Sequence, residues 1–181
     1  MKISLLAFVC FLFVNLAYGQ TGELCKAEHL CCDHLPAPVG IDNPRPRLSW
    51  MLHDARNGAK QTSCQIIVGT DSIAVTEGKG NVWDSGNRSY DGMMVTYAGQ
   101  ALKPFTRYFW KVNVWDKDRV RSSSPVSSFE TGMMDVKNWQ GAWISDRNDI
   151  SYKPAPYFRK EFKTTKKIQS ARAYIAVGGL Y

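Results

Sequence analysis

From Arg47 onward the chain sets apolar against polar residues with a period of two in short runs, each closed by Gly, Pro, Asn, Asp or Ser. Successive side chains of a strand point to opposite faces, so this spacing predicts strands. In the first run Leu48, Trp50 and Leu52 share one face while Ser49, Met51 and His53 share the other. Cys64, Ile66 and Val68 share a face of the next, which Gly69-Thr70-Asp71-Ser72 closes as a turn. Val82 to Gly86 and Met93 to Ala98 read as two further strands. The longest, Arg107 to Asp116, puts Tyr108, Trp110, Val112 and Val114 on one side and Phe109, Lys111, Asn113 and Trp115 on the other. A polar hairpin, Lys117 to Pro125, then leads to a last strand over Ser127 to Thr131. Apolar residues at sustained helical spacing are missing, so the chain reads as all-β. Short strands with one apolar face each become stable when two sheets stack, which predicts a β-sandwich with Trp50, Tyr108 and Trp110 in its core.

The two ends of the chain differ from this pattern. Lys2, the apolar run Ile3 to Leu16, and the small-x-small triplet Ala17-Tyr18-Gly19 have the form of a secretory signal peptide over residues 1–19, cleaved before Gln20. That apolar run is shorter than the roughly 20 residues a membrane span needs, so no stable membrane insertion is expected after cleavage. Residues 133–142 read as a linker, and the strand-like pattern resumes at Trp143-Ile144, in Tyr157 to Phe162, and in Ala171 to Val177. This last piece cannot close a sheet by itself, so residues 143–181 are expected to be the truncated start of a second domain.

Charge and cysteine content narrow the chemistry. The net charge of +7 comes from Lys and Arg scattered over 181 residues. Such dispersion argues against a nucleic-acid partner and suits a solvated basic surface able to meet anionic polysaccharide. Cys25, Cys31, Cys32 and Cys64 remain after the leader is removed, and four cysteines allow three pairings. Cys25, Cys31, Cys32 and His34 lie close in sequence but miss the usual zinc spacings, which leaves a disulfide in the first strand region or plain small apolar packing. No cofactor motif is present: there is no phosphate loop, no Gly-x-Ser-x-Gly elbow and no His-Glu-x-x-His run. His29, His34 and His53 form no recognisable base arrangement, and Asn87-Arg88-Ser89, although a glycosylation triplet, reads as a polar turn.

One local motif is specific. Leu102-Lys103-Pro104-Phe105-Thr106-Arg107-Tyr108, leading into the penultimate strand, resembles the tyrosine corner of fibronectin type III domains. Trp50 sits where that family has its core tryptophan. The reading is therefore a fibronectin type III-like or immunoglobulin-like β-sandwich over residues 20–132. Several ordered motifs extend the resemblance to a longer protein. They are Pro38-Val39-Gly40-Ile41-Asp42 with Pro46-Arg47-Leu48-Ser49-Trp50, Trp83-Asp84-Ser85-Gly86, Tyr108-Phe109-Trp110-Lys111-Val112 with Val114-Trp115-Asp116, and Phe158-Arg159-Lys160-Glu161-Phe162. In this order they resemble the N-terminal region of bacterial α-L-rhamnosidases of glycoside hydrolase family 78.

The resemblance implies a secreted parent enzyme, in the periplasm or at the exterior of a Gram-negative-type bacterium, that hydrolyses terminal α-L-rhamnosides of plant glycans. In that family a fibronectin-like domain and lectin-like, jelly-roll sandwiches precede an (α/α)6 barrel that holds the acids. An inverting enzyme needs two opposed carboxyls about 6.5 to 9.5 Å apart. Of the local carboxylates, Asp84, Asp116, Asp118 and Glu130 fall at strand ends or turns and Glu161 in a strand-like run, so no catalytic residue is assigned. Expected partners are the remaining domains of the parent enzyme. Two further readings stay open: an independent secreted module binding carbohydrate or protein through Phe109, Trp115 or Trp139, and a product that is simply cleared.

Overall fold

A computed structural model of the chain describes residues 25–145, 151, 156–169 and 171–177, so the leader expected over residues 1–19 lies outside the described residues. The chain divides into two units, Met1–Gln140 and Gly141–Tyr181. Among the described residues, the first holds every strand.

Ten strands follow in order: β1 (Lys26–Cys32), β2 (Val39–Ile41), β3 (Arg47–His53), β4 (Gln61–Gly69), β5 (Trp83–Asp84), β6 (Arg88–Ser89), β7 (Met94–Thr96), β8 (Arg107–Asp116), β9 (Arg121–Ser123) and β10 (Ser127–Thr131). A three-stranded sheet runs β1-β3-β7. A seven-stranded sheet runs β2-β10-β8-β4-β5, with β6 also beside β4 and β9 also beside β8. The antiparallel pair β4–β8 is its spine, from Gln61 opposite Asp116 to Gly69 opposite Phe109. β2 lies parallel to β10, a pairing that three residues of alternation do not reveal.

The alternation places the core where the sequence puts it. Cys64, Ile66 and Val68 of β4, Tyr108, Trp110, Val112 and Val114 of β8, and Phe129 of β10 face Leu48 and Trp50 of β3 and Ala27 and Cys32 of β1. Trp110 is 0% exposed and Trp50 3%. Each fully buried side chain of this kind gains about 1.5–3 kcal/mol from leaving water, which makes this layer the main source of stability. Tyr108 stacks on Phe129 with ring centroids 5.3 Å apart, and Trp83 meets Tyr97 edge-on at 5.2 Å.

Several polar groups inside the sandwich are paired across the sheets, while Trp110 Nε1 and Asn113 Oδ1 are buried without a hydrogen-bond partner among the described residues. Trp50 Nε1 donates to Gln61 Oε1 at 3.1 Å, and the Gln61 amide in turn donates to the carbonyls of Tyr90 and Gly92 at 2.9 and 2.7 Å. One buried glutamine thus ties β3 to β4 and to the loop before β7. The tyrosine corner is present: the Tyr108 hydroxyl accepts the Lys103 N–H at 2.8 Å. Thr131 backs it up, its hydroxyl donating to Lys103 O at 2.6 Å and accepting from Thr106 N at 2.9 Å.

Two expectations are corrected. The turn expected over Gly69 to Ser72 instead opens a helix, α1 (Ser72–Thr76), because the Asp71 carboxylate accepts the N–H groups of Ile73 and Ala74 at 2.8 and 2.9 Å and so caps it. Only Val75 of this helix is buried, so one turn carries too few apolar positions to display a period. On the outer side of β8, Lys111 and Asn113 are buried, Lys111 reaching the Thr76 carbonyl at the end of α1 with Nζ at 2.9 Å. The second correction is that the strands expected from Trp143 onward are not formed among the described residues of the second unit. Their alternating side chains stand in solvent, Tyr157 fully and Phe162 at 79%, because a strand needs a neighbour to take up its backbone N–H and C=O groups.

Residues 133–139, read as linker, are attached to the sandwich. Met134 packs against the core and its N–H donates to Asp42 Oδ1 at 2.6 Å, while Gly132 N donates to Ile41 O at 2.8 Å.

Replacing Tyr108 by Phe removes the acceptor for Lys103 N–H and leaves the ring in place. The expected loss is about 1–3 kcal/mol of unfolding free energy in a urea titration, with the slope unchanged.

Candidate functional site

The carboxylates singled out in the sequence have structural partners. Asp84 accepts from Gln65 Nε2 at 2.8 Å and from Gly86 N at 2.9 Å, which closes the turn after β5. Asp116 shapes the β8–β9 hairpin by accepting the N–H groups of Asp118 and Val120 at 2.9 and 2.8 Å. Glu130 lies 4.0 Å from the Arg107 guanidinium. Glu161, in the second unit, is exposed and paired with Arg159.

Arg56 organises the densest charge cluster. Its guanidinium reaches Asp54 at 2.6 Å, Asp116 at 2.6 Å and Asp118 at 3.4 Å, joining the β3–β4 loop to the β8–β9 hairpin. The Arg56 side chain, hydrogen-bonded to Asp54, holds that carboxyl down at about 2. Burial pushes Asp116 up, but Arg56 and the two hairpin N–H groups outweigh it and its pKa falls below the usual carboxylate value. A general acid needs the opposite displacement, a carboxyl kept protonated by a dry or anionic site. These acids are therefore clamps, ionised throughout the neutral range.

The cysteines pack as small apolar groups, the second of the two readings left open. None of the four is in a disulfide, and Cys25, Cys32 and Cys64 are buried. Burial, with Asp33 and Cys31 adding to it, pushes the Cys32 thiol up to about 12, and burial also raises Cys25 and Cys64. His29 and His34 sit at left-handed φ values of 50° and 68° in the exposed bends of β1 and the turn after it.

Of the aromatics proposed as platforms, two are half-buried on β8 and each carries a guanidinium: Arg107 over Phe109 at 5.9 Å and Arg121 over Trp115 at 5.6 Å. Trp139 is half-buried at the end of the first unit. Trp115 also lines an open groove of about 480 Å³ with Thr62, Ser63, Asn87, Ser89 and Arg119. No carboxylate lines this groove. A second groove, of about 340 Å³ between β1 and the start of β10, contains Glu28 as its one acid.

The Arg56 clamp has a pH signature. Asp54 and Asp116 titrate lower in the folded chain than in the unfolded one, so their contribution is complete above about pH 5 and is lost as pH falls through the folded values. Thermal melts from pH 7 to pH 2 are expected to show the melting temperature falling below about pH 4. Arg56→Met is expected to melt lower at pH 7 and to lose much of that acid-side slope.

Comparison with known proteins places this geometry. Residues 27–135 match the model of the Rha78A-like, N-terminal immunoglobulin domain. An α-L-rhamnosidase of Streptomyces avermitilis is 39% identical over 125 residues, which is 68% of this chain and 12% of that relative. One from Formosa agariphila is 27% identical over 192 residues, covering 99% of this chain and 20% of the relative. Among solved structures, the α-L-rhamnosidase from Dictyoglumus thermophilum superposes with a TM-score of 0.66 at 32% identity, over 71% of this chain and 15% of that one. The Streptomyces avermitilis α-L-rhamnosidase complexed with L-rhamnose gives 0.62 at 38% identity, over 66% and 12%. The chain thus spans 12% to 20% of the length of these curated relatives. With its sandwich, its tyrosine corner and a family match over most of the described first unit, this chain belongs to the family of Rha78A-like N-terminal immunoglobulin domains.

Proposed function

We propose that the chain is the non-catalytic N-terminal accessory part of a secreted α-L-rhamnosidase, an enzyme that removes terminal α-L-rhamnosyl groups from plant glycans. The observation that carries this reading is the family match over residues 27–135, seen beside relatives five or more times longer. Residues 1–19 act as the export signal, residues 20–132 form the sandwich, which we take to be of the fibronectin type III kind, and residues 143–181 open the next, lectin-like domain. The exposed apolar side chains of the second unit support that last point. Trp143 is 78% exposed and Ile175 73%, surface that an adjoining domain would cover. Catalysis belongs to a later part of the parent enzyme: Asp54 and Asp116, the two acids Arg56 holds most closely, are kept below the usual carboxylate value, opposite to what a general acid needs.

The test is an assay of the purified 181-residue chain on an aryl α-L-rhamnoside, together with N-terminal sequencing of the exported product. No turnover and a mature start at Gln20 are expected. Turnover abolished by replacing one of the chain's own acids would overturn the accessory role.

A further inference from the structure

The outer face of the larger sheet satisfies most of its own polar groups. Asn113 Nδ2 donates to Gln65 Oε1 at 2.9 Å, Gln65 passes its own donor to Asp84 at 2.8 Å, and Lys111 is spent on the end of α1. One corner departs from this economy. Ser63 of β4 sits opposite Ser89 of β6 on one side and opposite Trp115 of β8 on the other, and Trp115 sits opposite Arg121 of β9. These four residues form a single cross-strand row beside the groove of about 480 Å³.

Of the hydrogen-bonding side chains in the groove only Thr62 is engaged, its hydroxyl directed to the carbonyls of Trp115 and Asp116 at 3.2 and 2.9 Å, while the Trp115 ring carries Arg121 at 5.6 Å. Among the described residues, the hydroxyls of Ser63 and Ser89, the Asn87 amide and the Arg119 guanidinium have no protein partner. Arg119 nonetheless has a fixed base: its N–H donates to Asp116 O at 3.0 Å at the tip of the hairpin that Arg56 clamps through Asp116. The acids of that hairpin, Asp116 and Asp118, are already turned to Arg56, so they leave Arg119 uncompensated. The groove therefore offers the Trp115 indole, over which Arg121 lies on one side, two hydroxyls, one amide and the unpaired cation of Arg119.

Each of these groups has a counterpart in one class of ligand. An indole takes the C–H face of a sugar ring, hydroxyls and an amide exchange hydrogen bonds with ring hydroxyls, and a free guanidinium accepts a carboxylate in bidentate fashion. A neutral sugar would leave Arg119 without a counter-charge. We propose that this groove binds an anionic saccharide, a uronic acid residue within a glycan chain, seated on Trp115 with its carboxylate on Arg119 and its hydroxyls on Asn87, Ser63 and Ser89. The site would hold the protein on an acidic polysaccharide, a role separate from cleavage and independent of the rhamnosidase assignment.

Isothermal titration calorimetry of the full chain with trigalacturonate, and with a neutral galactose trisaccharide of the same length, tests this. Saturable binding of the acidic ligand is expected, weaker by about tenfold for the neutral one and by about tenfold in Arg119→Ala and in Trp115→Ala. Added salt should weaken the acidic ligand and leave the neutral one unmoved. Circular dichroism melts check folding, and Trp115→Phe, which keeps a ring in place, stands in if the alanine variant unfolds. Absence of saturable binding, equal affinity for both trisaccharides, or affinity unchanged by the Arg119 and Trp115 substitutions would each overturn the proposal.

Discussion

Strand β8 has to be covered along the whole of one face and, at its middle, on both. Its inner side, from Tyr108 to Val114, is satisfied by the smaller sheet, and much of the remaining architecture answers the needs of its outer side. The ammonium group of Lys111, lodged on a sheet, requires an acceptor, and the one-turn helix α1 supplies the last carbonyl of its only turn. Asn113 requires a partner, and Gln65 provides one while anchoring itself on Asp84. A polar group removed from water costs more when left unmade than it returns when made, so these small appendages are fixed as firmly as the core they flank.

The same logic explains which parts of the fold could be read from residues alone. Long strands with a clean inner face announced themselves: the bounds expected for β8 and β10 are those observed, and Trp50, Tyr108 and Trp110 are in the core. The tyrosine corner was legible because its chemistry is local, with hydroxyl and N–H five residues apart. Helix α1 was hidden because an aspartate cap and one buried valine make no periodic signal. Strands β2, β6 and β9 are two or three residues long and exist through their neighbours, so no property of their own marks them. In the second unit the reverse holds: alternation is clear over 171–177, yet pairing is what makes a strand and it is not made among the described residues.

The candidate site was legible only in part. Trp115 was singled out as a possible platform from its position on the outer face, whereas its companions in the groove come from three separate segments. Only the β6–β4–β8 pairing brings Asn87, Ser89 and Ser63 beside it. Arg56 was missed altogether. It lies in a loop of no regular pattern, and its importance arises from reaching 60 residues along the chain to Asp116.

The four unlinked thiols carry a consequence for where such a domain can mature. Among the described residues every contact that fixes the sandwich is non-covalent, so this arrangement involves no pairing of sulfurs. The strand pairing and core of the described sandwich therefore do not themselves draw on the thiol potential around the chain. Protonation and burial keep three of its sulfurs from being drawn into bridges with other chains folding around it.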